Sequence, residues 1–444
     1  KQSFMASRQQ EDMLRAEREL AELESSPLDL SDPESEEEVD DSTVGHRTHV
    51  DSKEDNLFGV RGFTKEGMCF LLKEMLLRQY NRELSIERVI YAIPDCFDAA
   101  EVDRLLGIAL VSTHFLQGLL VPIGDRISMQ LAKSISVALE KSLSIRSLVL
   151  TRLLTFEAAQ GQIVRELLHG FSLNRNQRKK EIRLYSLGRQ EEFLEGNAGR
   201  NGIVQVISQT PGLTDIECSA CSADAAATFL EGACLSESIE RVTLICDSVR
   251  DEGWHGNQRV PVVLRNLIET TSSLRELKLI DLSGPSLLEC VANAMEANTA
   301  LESLCVGARG TQVLEGRDAN HLALLIRNCR SLKNLSLIDF RFRDEGLQLM
   351  TAALRENNSI ERLRLSTLYA SPFHIHNLTR TGNVNELSFG LWDTNEEYRT
   401  HVLAECASGA LETLNLRQSR ISDVVARNFF VALAQPNRPL KNLE

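Results

Sequence analysis

Two short pairings in the chain carry the residue types that chemistry uses. Cys218-Ser-Ala-Cys221 has the spacing of a redox dithiol or of half a zinc site, because two thiolates three residues apart can share a metal ion or close a disulfide. No second Cys-x-x-Cys completes a tetrahedral set, so the pair reads as structural. His374-Ile-His376 would set two imidazoles on one face of a strand, as two ligands of one metal, but no third ligand is spaced to join them. The phosphate-cradling patterns G-x-x-x-x-G-K-[ST] and G-x-G-x-x-G are missing, as are the hydrolase elbow G-x-S-x-G and the zinc helix H-E-x-x-H. The residues therefore point to a non-enzymatic protein with no cofactor and no metal.

Other side chains suit recognition better than reaction. Arg175, Arg178, Lys179, Lys180 and Arg183 form the chain's basic concentration and read first as a solvated loop rim, then as a nuclear-import signal or a contact for an acidic partner. Trp254 and Trp392 are the two tryptophans, each a candidate interface anchor or a buried turn filler. The overall charge of −14 is uneven: residues 1–55 hold 17 acidic and six basic side chains, leaving the rest nearly neutral. A near-neutral body behind an acidic segment argues against nucleic acid and against anionic membranes, both of which demand a basic surface.

What must position these residues is a repeat. Leu332-x-x-Leu335-x-Leu337 returns as Ile360-x-x-Leu363-x-Leu365, and the central residues of the successive matches are Val89, Leu119, Leu148, Ile182, Ile216, Val242, Leu277, Leu304, Leu335, Leu363, Leu387, Leu414 and Leu443. Val60 is placed to begin a degenerate first unit. Neighbouring matches lie 24 to 35 residues apart, most of them close to 29. Between them recurs a helix-start grammar: "FRDEG" at 342–346, "VRDEG" at 249–253, more loosely "FTKEG" at 63–67. Leu347, Met350 and Leu354 then follow with the period of one buried helix face, as do Leu131, Ile135 and Leu139. Asp344 and Asp251 stand where a helix cap belongs. Each unit thus reads strand, turn, helix, turn, and such units hide their apolar faces only by stacking.

This grammar resembles the leucine-rich repeat, in particular the ribonuclease-inhibitor-like subtype of 28 to 29 residues, over about residues 56–444. The resemblance implies an α/β solenoid, curved, with parallel β-strands on the concave face and α-helices on the convex face. The expected organisation is an acidic, largely disordered tail over 1–55 with a short helix at 8–24, then about 13 to 14 repeats over 56–444, the last of them truncated. Ser31 and Ser35 in the tail each precede a glutamate by three residues, as acidophilic kinases prefer. One departure from the family is systematic: three residues past the last strand leucine it carries Asn, whereas here stand Leu153, Leu187, Cys221, Asp247, Leu282, Arg309, Phe340, Leu368, Trp392 and Ser419. Looser turns are expected there, and extra loop at a rim where the interval reaches 34 or 35.

The uncharged stretch Leu105–Gly124 is long enough to span a bilayer, but the repeat register reads it as a helix end followed by a strand. The ten cysteines are scattered singly, as expected of free thiols in a reducing compartment, the cytoplasm and also the nucleus. Residues flanking the strand leucines should line the concave face, among them Arg275, Lys278, Lys333, Ser336, Arg362, Arg364, Glu386 and Asn415. A polar, mixed-charge, extended surface suits a folded protein partner better than a small ligand, which wants a deep apolar pocket. The first expectation is a monomeric scaffold or adaptor that binds a protein. Resemblance to Ran-type activators offers a second, GTPase activation with a small GTPase as partner. Ribonuclease inhibition is weakened by the lack of a regular cysteine pattern, and the repeat portion of a nucleotide-regulated innate receptor is a further alternative.

Overall fold

The computed structural model describes residues 83–85, 110, 116–123 and most of 127–443; within that last span 152–157, 175–178, 188–196, 221, 247–258, 282–284, 369–371, 392–394, 417–418, 420 and 436–438 are not described. The expectations for residues 1–55, Val60, the "FTKEG" and "VRDEG" starts, Cys221, both tryptophans and the two long-interval loops lie outside the described residues.

Among the described residues thirteen strands make one parallel sheet whose spatial order is the order of the chain. They are β1 (Glu83–Ser85), β2 (Gly118–Pro122), β3 (Ser147–Thr151), β4 (Lys180–Leu187), β5 (Leu213–Ala220), β6 (Arg241–Cys246), β7 (Glu276–Ile280), β8 (Ser303–Leu314), β9 (Asn334–Phe342), β10 (Arg362–Leu368), β11 (Glu386–Gly390), β12 (Thr413–Asn415) and β13 (Asn442–Leu443). A helix follows each from β2 to β12: α1 (Met129–Lys141), α2 (Ala158–Leu173), α3 (Asn197–Gln209), α4 (Ala223–Cys234), α5 (Arg259–Thr270), α6 (Pro285–Ala294), α7 (Gly316–Asn328), α8 (Asp344–Glu356), α9 (Pro372–Thr379), α10 (Glu396–Ser408) and α11 (Asp423–Leu433). Consecutive helices pack side by side. Packed helices need about 8–10 Å each and paired strands about 4.8 Å, so the strands lie on the inside of the bend. This is an open leucine-rich repeat solenoid.

The strand register is the sequence register. Leu119, Leu148, Ile182, Ile216, Val242, Leu277, Leu304, Leu335, Leu363, Leu387, Leu414 and Leu443 stand side by side as successive pairing partners. All but the terminal Leu443 are buried. One position is corrected: Leu84, not Val89, pairs with Leu119. Leu84-x-Ile86 carries the same alternation as Val89 and its neighbours, and a one-face strand needs only that alternation, so spacing alone chose the wrong one.

Helix faces follow the expected period, with Leu347, Met350 and Leu354 buried on α8 and Leu131, Ile135 and Leu139 buried on α1. Asp344 is not the cap, however. It is the first helical residue, and the flanking Arg343 makes no side-chain cap bond. The acids of "DEG" therefore act on the positive end of the helix from inside its first turn. The glycine has a steric reason: a Cβ on Gly346 would sit 2.6 Å from the Leu314 carbonyl oxygen of the preceding repeat.

Among the described residues, three of the turns after the strands are irregular. Pairing slips between Leu184 and Leu187, between Gly307 and Gln312, and between Leu365 and Thr367. Beyond the slip it resumes, with Phe342 opposite both Leu314 and Leu368. Backbone pairing thus does what side-chain amides would have done, and buried Phe340 and Phe342 fill the turn. Just before that second stretch Asp339 holds φ 59°, matched two repeats earlier by Asp281 at the same φ. Both lie in the left-handed region, where short polar side chains are tolerated better than most. Ser419 does the amide's job with a hydroxyl, accepting from Leu391 N at 3.2 Å and donating to Phe389 O at 3.3 Å.

The opposite rim carries a polar ladder that the leucine pattern alone did not flag. Three residues before the first apolar residue of a repeat stand Ser142, Thr210, Ser236, Thr271, Asn298, Asn357, Thr381 and Ser408. Asn298 donates to Ile268 O at 2.6 Å and accepts from Leu301 N at 2.7 Å, which ties the end of one helix to the end of the previous one. Ser142 accepts from Ile145 N in the equivalent way, at 3.0 Å. Asn298 and Ser142 thus satisfy groups that helix ends leave open, whereas the buried hydroxyl of Thr271 makes no hydrogen bond among the described residues.

Candidate functional site

On each strand the residues flanking the buried leucine alternate outward, and parallel pairing lines them into rows across the sheet. One row runs Glu276, Ser303, Asn334, Arg362, Glu386, Thr413; the next runs Lys278, Cys305, Ser336, Arg364, Ser388, Asn415. Arg275, Lys278, Lys333, Arg362 and Arg364 are exposed, and Ser336, Glu386 and Asn415 are half-buried. Cys305 differs from its row, with 7% of its surface exposed.

Seven of the eight candidate residues fall into two groups. Ser336, Arg362, Arg364, Glu386 and Asn415 line one cavity of about 400 Å³ on the strand face, with Asn334 and Ser388. Arg275 and Lys333 line another, about 700 Å³, at the rim where helices hand over to strands, together with Arg327, Arg330, Glu356 and Glu361. Lys278 lies outside both and pairs with Glu276 at 2.7 Å. Arg327 and Glu356, which pair at 2.9 Å, were not among the candidates; they come from helix ends, which a strand-centred reading passes over.

Charges on the face are mostly matched. Arg183 meets Glu181 at 2.6 Å and Glu217 at 3.7 Å, and Arg241 meets Asp215. Lys333 meets Glu302 at 3.1 Å, Arg362 meets Glu386 at 3.3 Å, and Lys441 meets Glu412 at 2.9 Å. Such exposed pairs contribute little stability, typically about 0–1 kcal/mol, but they fix which charges remain for a partner. Tyr185 donates to Glu217 at 2.7 Å, and burial together with that carboxylate pushes its hydroxyl up to about 12.

Of the basic concentration, Arg175 and Arg178 lie outside the described residues, and Lys179, Lys180 and Arg183 do not form one solvated patch. Lys179 reaches Glu240 and Arg183 joins the strand-face network. Lys180 is buried, with 1% of its surface exposed, and stands opposite Leu213 in the slot that a leading leucine occupies in other repeats. Its stem takes the aliphatic slot, its ammonium donates to Asn174 O, and the Phe171 ring lies 6.0 Å away. Desolvation lowers its pKa to about 8. From about pH 8 to about 10.4, the ordinary lysine value, the unfolded chain binds a proton that the folded chain does not, so this side chain's contribution to stability rises with pH. Lys180→Met is expected to melt higher than the parent below pH 8, with the gap closing as pH approaches 10. A gap constant from pH 7 to 10 in thermal melts would contradict this assignment.

The histidine pairing that suggested a metal comes apart, whereas Cys221, half of the cysteine pairing, lies outside the described residues. His374 and His376 lie on helix α9, not on a strand, and residues two apart on a helix point about 200° apart. His374 approaches Asp344 of α8 at 3.9 Å, whereas His376 bonds Glu405 of α10. Cys218 is buried in the core. Among the described residues no group of three or more His, Cys, Asp or Glu is placed to hold a metal ion. Burial pushes the thiols of Cys234 and Cys329 up to about 12 and that of Cys290 to about 11. They stay protonated at neutral pH and are poor nucleophiles. Within the uncharged stretch 105–124, Gly118–Pro122 is strand β2, and no helix among the described residues is long and apolar enough to cross a membrane.

No known family profile and no curated protein matches the chain. Among solved structures it is similar to an internalin, InlF, from Listeria monocytogenes, at 14% identity and a TM-score of 0.33, covering 77% of this chain and 82% of that one. It is also similar to a chain of the yeast Rad7 and Elc1 complex, at 12% identity and a TM-score of 0.37, covering 85% of this chain and 92% of that one. The leucine-rich repeat fold stands on this chain's own sheet order and register.

Proposed function

We propose that the chain is a non-enzymatic binding scaffold that docks a folded protein on the strand face of its solenoid. The observation that carries this reading is the meeting of five of the eight candidate side chains around one shallow polar cavity on β9 to β12. Its lining of amide, hydroxyl, guanidinium and carboxylate groups over several strands resembles the polar part of a protein interface more than an apolar small-molecule pocket. We read the repeats as the ribonuclease-inhibitor-like kind, because an α-helix of eight to 16 residues separates each described strand from the next after β2.

The test is charge reversal at both arginines of the cavity. Proteins captured by the full chain and identified by mass spectrometry should be lost, at least tenfold, by the Arg362→Glu/Arg364→Glu chain, while its thermal melt stays within a few degrees of the parent. Undiminished capture by the double variant would move the docking surface elsewhere.

A further inference from the structure

The two arginines of the strand-face cavity are not equivalent. Arg362 is held by Glu386 at 3.3 Å. Arg364 has no carboxylate within ion-pair distance among the described residues. The cations Arg183, Arg241, Lys278, Lys333 and Lys441 of the same sheet each have a carboxylate, and Arg275 donates to Ala300 O at 3.0 Å. Arg364 is therefore an exposed guanidinium left over when the neighbouring charges are matched.

Its register neighbours supply the rest of a site. Ser336 of β9 and Ser388 of β11 are the pairing partners of Arg364, and Asn415 of β12 is the partner of Ser388. At a strand spacing of about 4.8 Å, the guanidinium stands between two hydroxyls, with an amide one strand further on. All four line the same cavity of about 400 Å³. This row brings donors together and contains no acid from Lys278 to Asn415, whereas the parallel row has two acids, Glu276 paired with Lys278 and Glu386 paired with Arg362.

We propose that this row is a seat for one carboxylate side chain, an aspartate or glutamate presented by the docked protein, with Arg364 as its bidentate anchor and Ser336 and Ser388 as flanking donors. The inference rests on the strand face being a docking face and names the group that docks there. Charge selects carboxylate over phosphate. The formal charge of the cavity is +1, from Arg362, Arg364 and Glu386. A carboxylate carries one negative charge, and a phosphate monoester carries about −1.5 to −2 at neutral pH, more than a single free guanidinium beside Glu386 balances.

The test uses the full chain and three dye-labelled peptides of one serine-glycine framework, carrying two glutamates, two glutamines or two phosphoserines, read by fluorescence anisotropy. The glutamate peptide is expected to bind at least tenfold tighter than the glutamine peptide and no weaker than the phosphoserine peptide. Arg364→Gln should remove that preference, whereas Arg355→Gln, an exposed arginine on α8 near Asn377, should leave it within twofold. Equal binding by parent and Arg364→Gln, or a clear preference for phosphoserine, would overturn the carboxylate seat. The outcome is separable from the docking reading: capture lost in the double charge reversal with no Arg364-dependent peptide binding removes only the seat. Arg364-dependent peptide binding with undiminished capture removes only the docking of a folded protein.

Discussion

Leu335→Ala is expected to lower the free energy of unfolding by about 2–5 kcal/mol, the range for a large-to-small change in a packed core. Leu335 is 1% exposed and pairs on one side with Leu304 and on the other with Leu363, both buried. A hole at that point removes contacts from its own repeat and from both neighbours, and stability in a stacked array is a sum of just those unit and neighbour terms. Leu443→Ala is the internal control. The same repeat position there is 43% exposed at the last strand, so its loss should cost less than about 1 kcal/mol. Urea unfolding followed by circular dichroism measures both. Equal costs at the two positions, or less than 1 kcal/mol at Leu335, would contradict the idea that repeat leucines are held in place by their neighbours.

The repeat was legible because its physics is periodic. A strand leucine is buried only if the next unit supplies another beside it, so the constraint recurs every 24 to 35 residues, and twelve of the thirteen expected positions are paired in register. Where the signal was not periodic, the reading went astray. Val89 and Leu84 present the same alternation, and only pairing separates them. Lys180 belongs to a run of cations, yet its position in the register, not its charge, decides that its stem fills a leucine slot. His374 and His376 looked like a shared face because a strand was assumed; the helix beginning at Pro372 turns them apart. The candidate site stood between these cases. Alternation on the strands placed its members on one face, but which cation would be left without a carboxylate depends on side-chain pairing across strands, as with Arg362 and Glu386.

The second large effect is expected at Asn357, on the rim that the leucine pattern does not report. Its amide nitrogen donates to Ile326 O and Cys329 O, both at 2.8 Å, and its amide oxygen accepts from Ser359 N and Ile360 N, both at 2.9 Å. One buried side chain thus satisfies four backbone groups at the junction of two repeats. An unsatisfied buried group costs about 1–3 kcal/mol, and water admitted by the smaller side chain recovers part of it, so Asn357→Ala should cost about 2–4 kcal/mol. Asn357→Ser separates the two halves of the role. Ser142 fills the same position in an earlier repeat and accepts from Ser144 N and Ile145 N, so serine keeps the local cap and loses the reach to the previous repeat. Asn357→Asp keeps the acceptors but aims a carboxylate at two carbonyl oxygens, and should be at least as damaging as alanine at neutral pH. Protonation at low pH restores one donor, so the aspartate variant should recover relative to alanine as pH falls toward 4. The expected order at pH 7 is parent, serine, alanine, aspartate. If alanine and serine melt together, the local cap contributes nothing; if aspartate matches the parent, the bonds to Ile326 and Cys329 do not tie the repeats together.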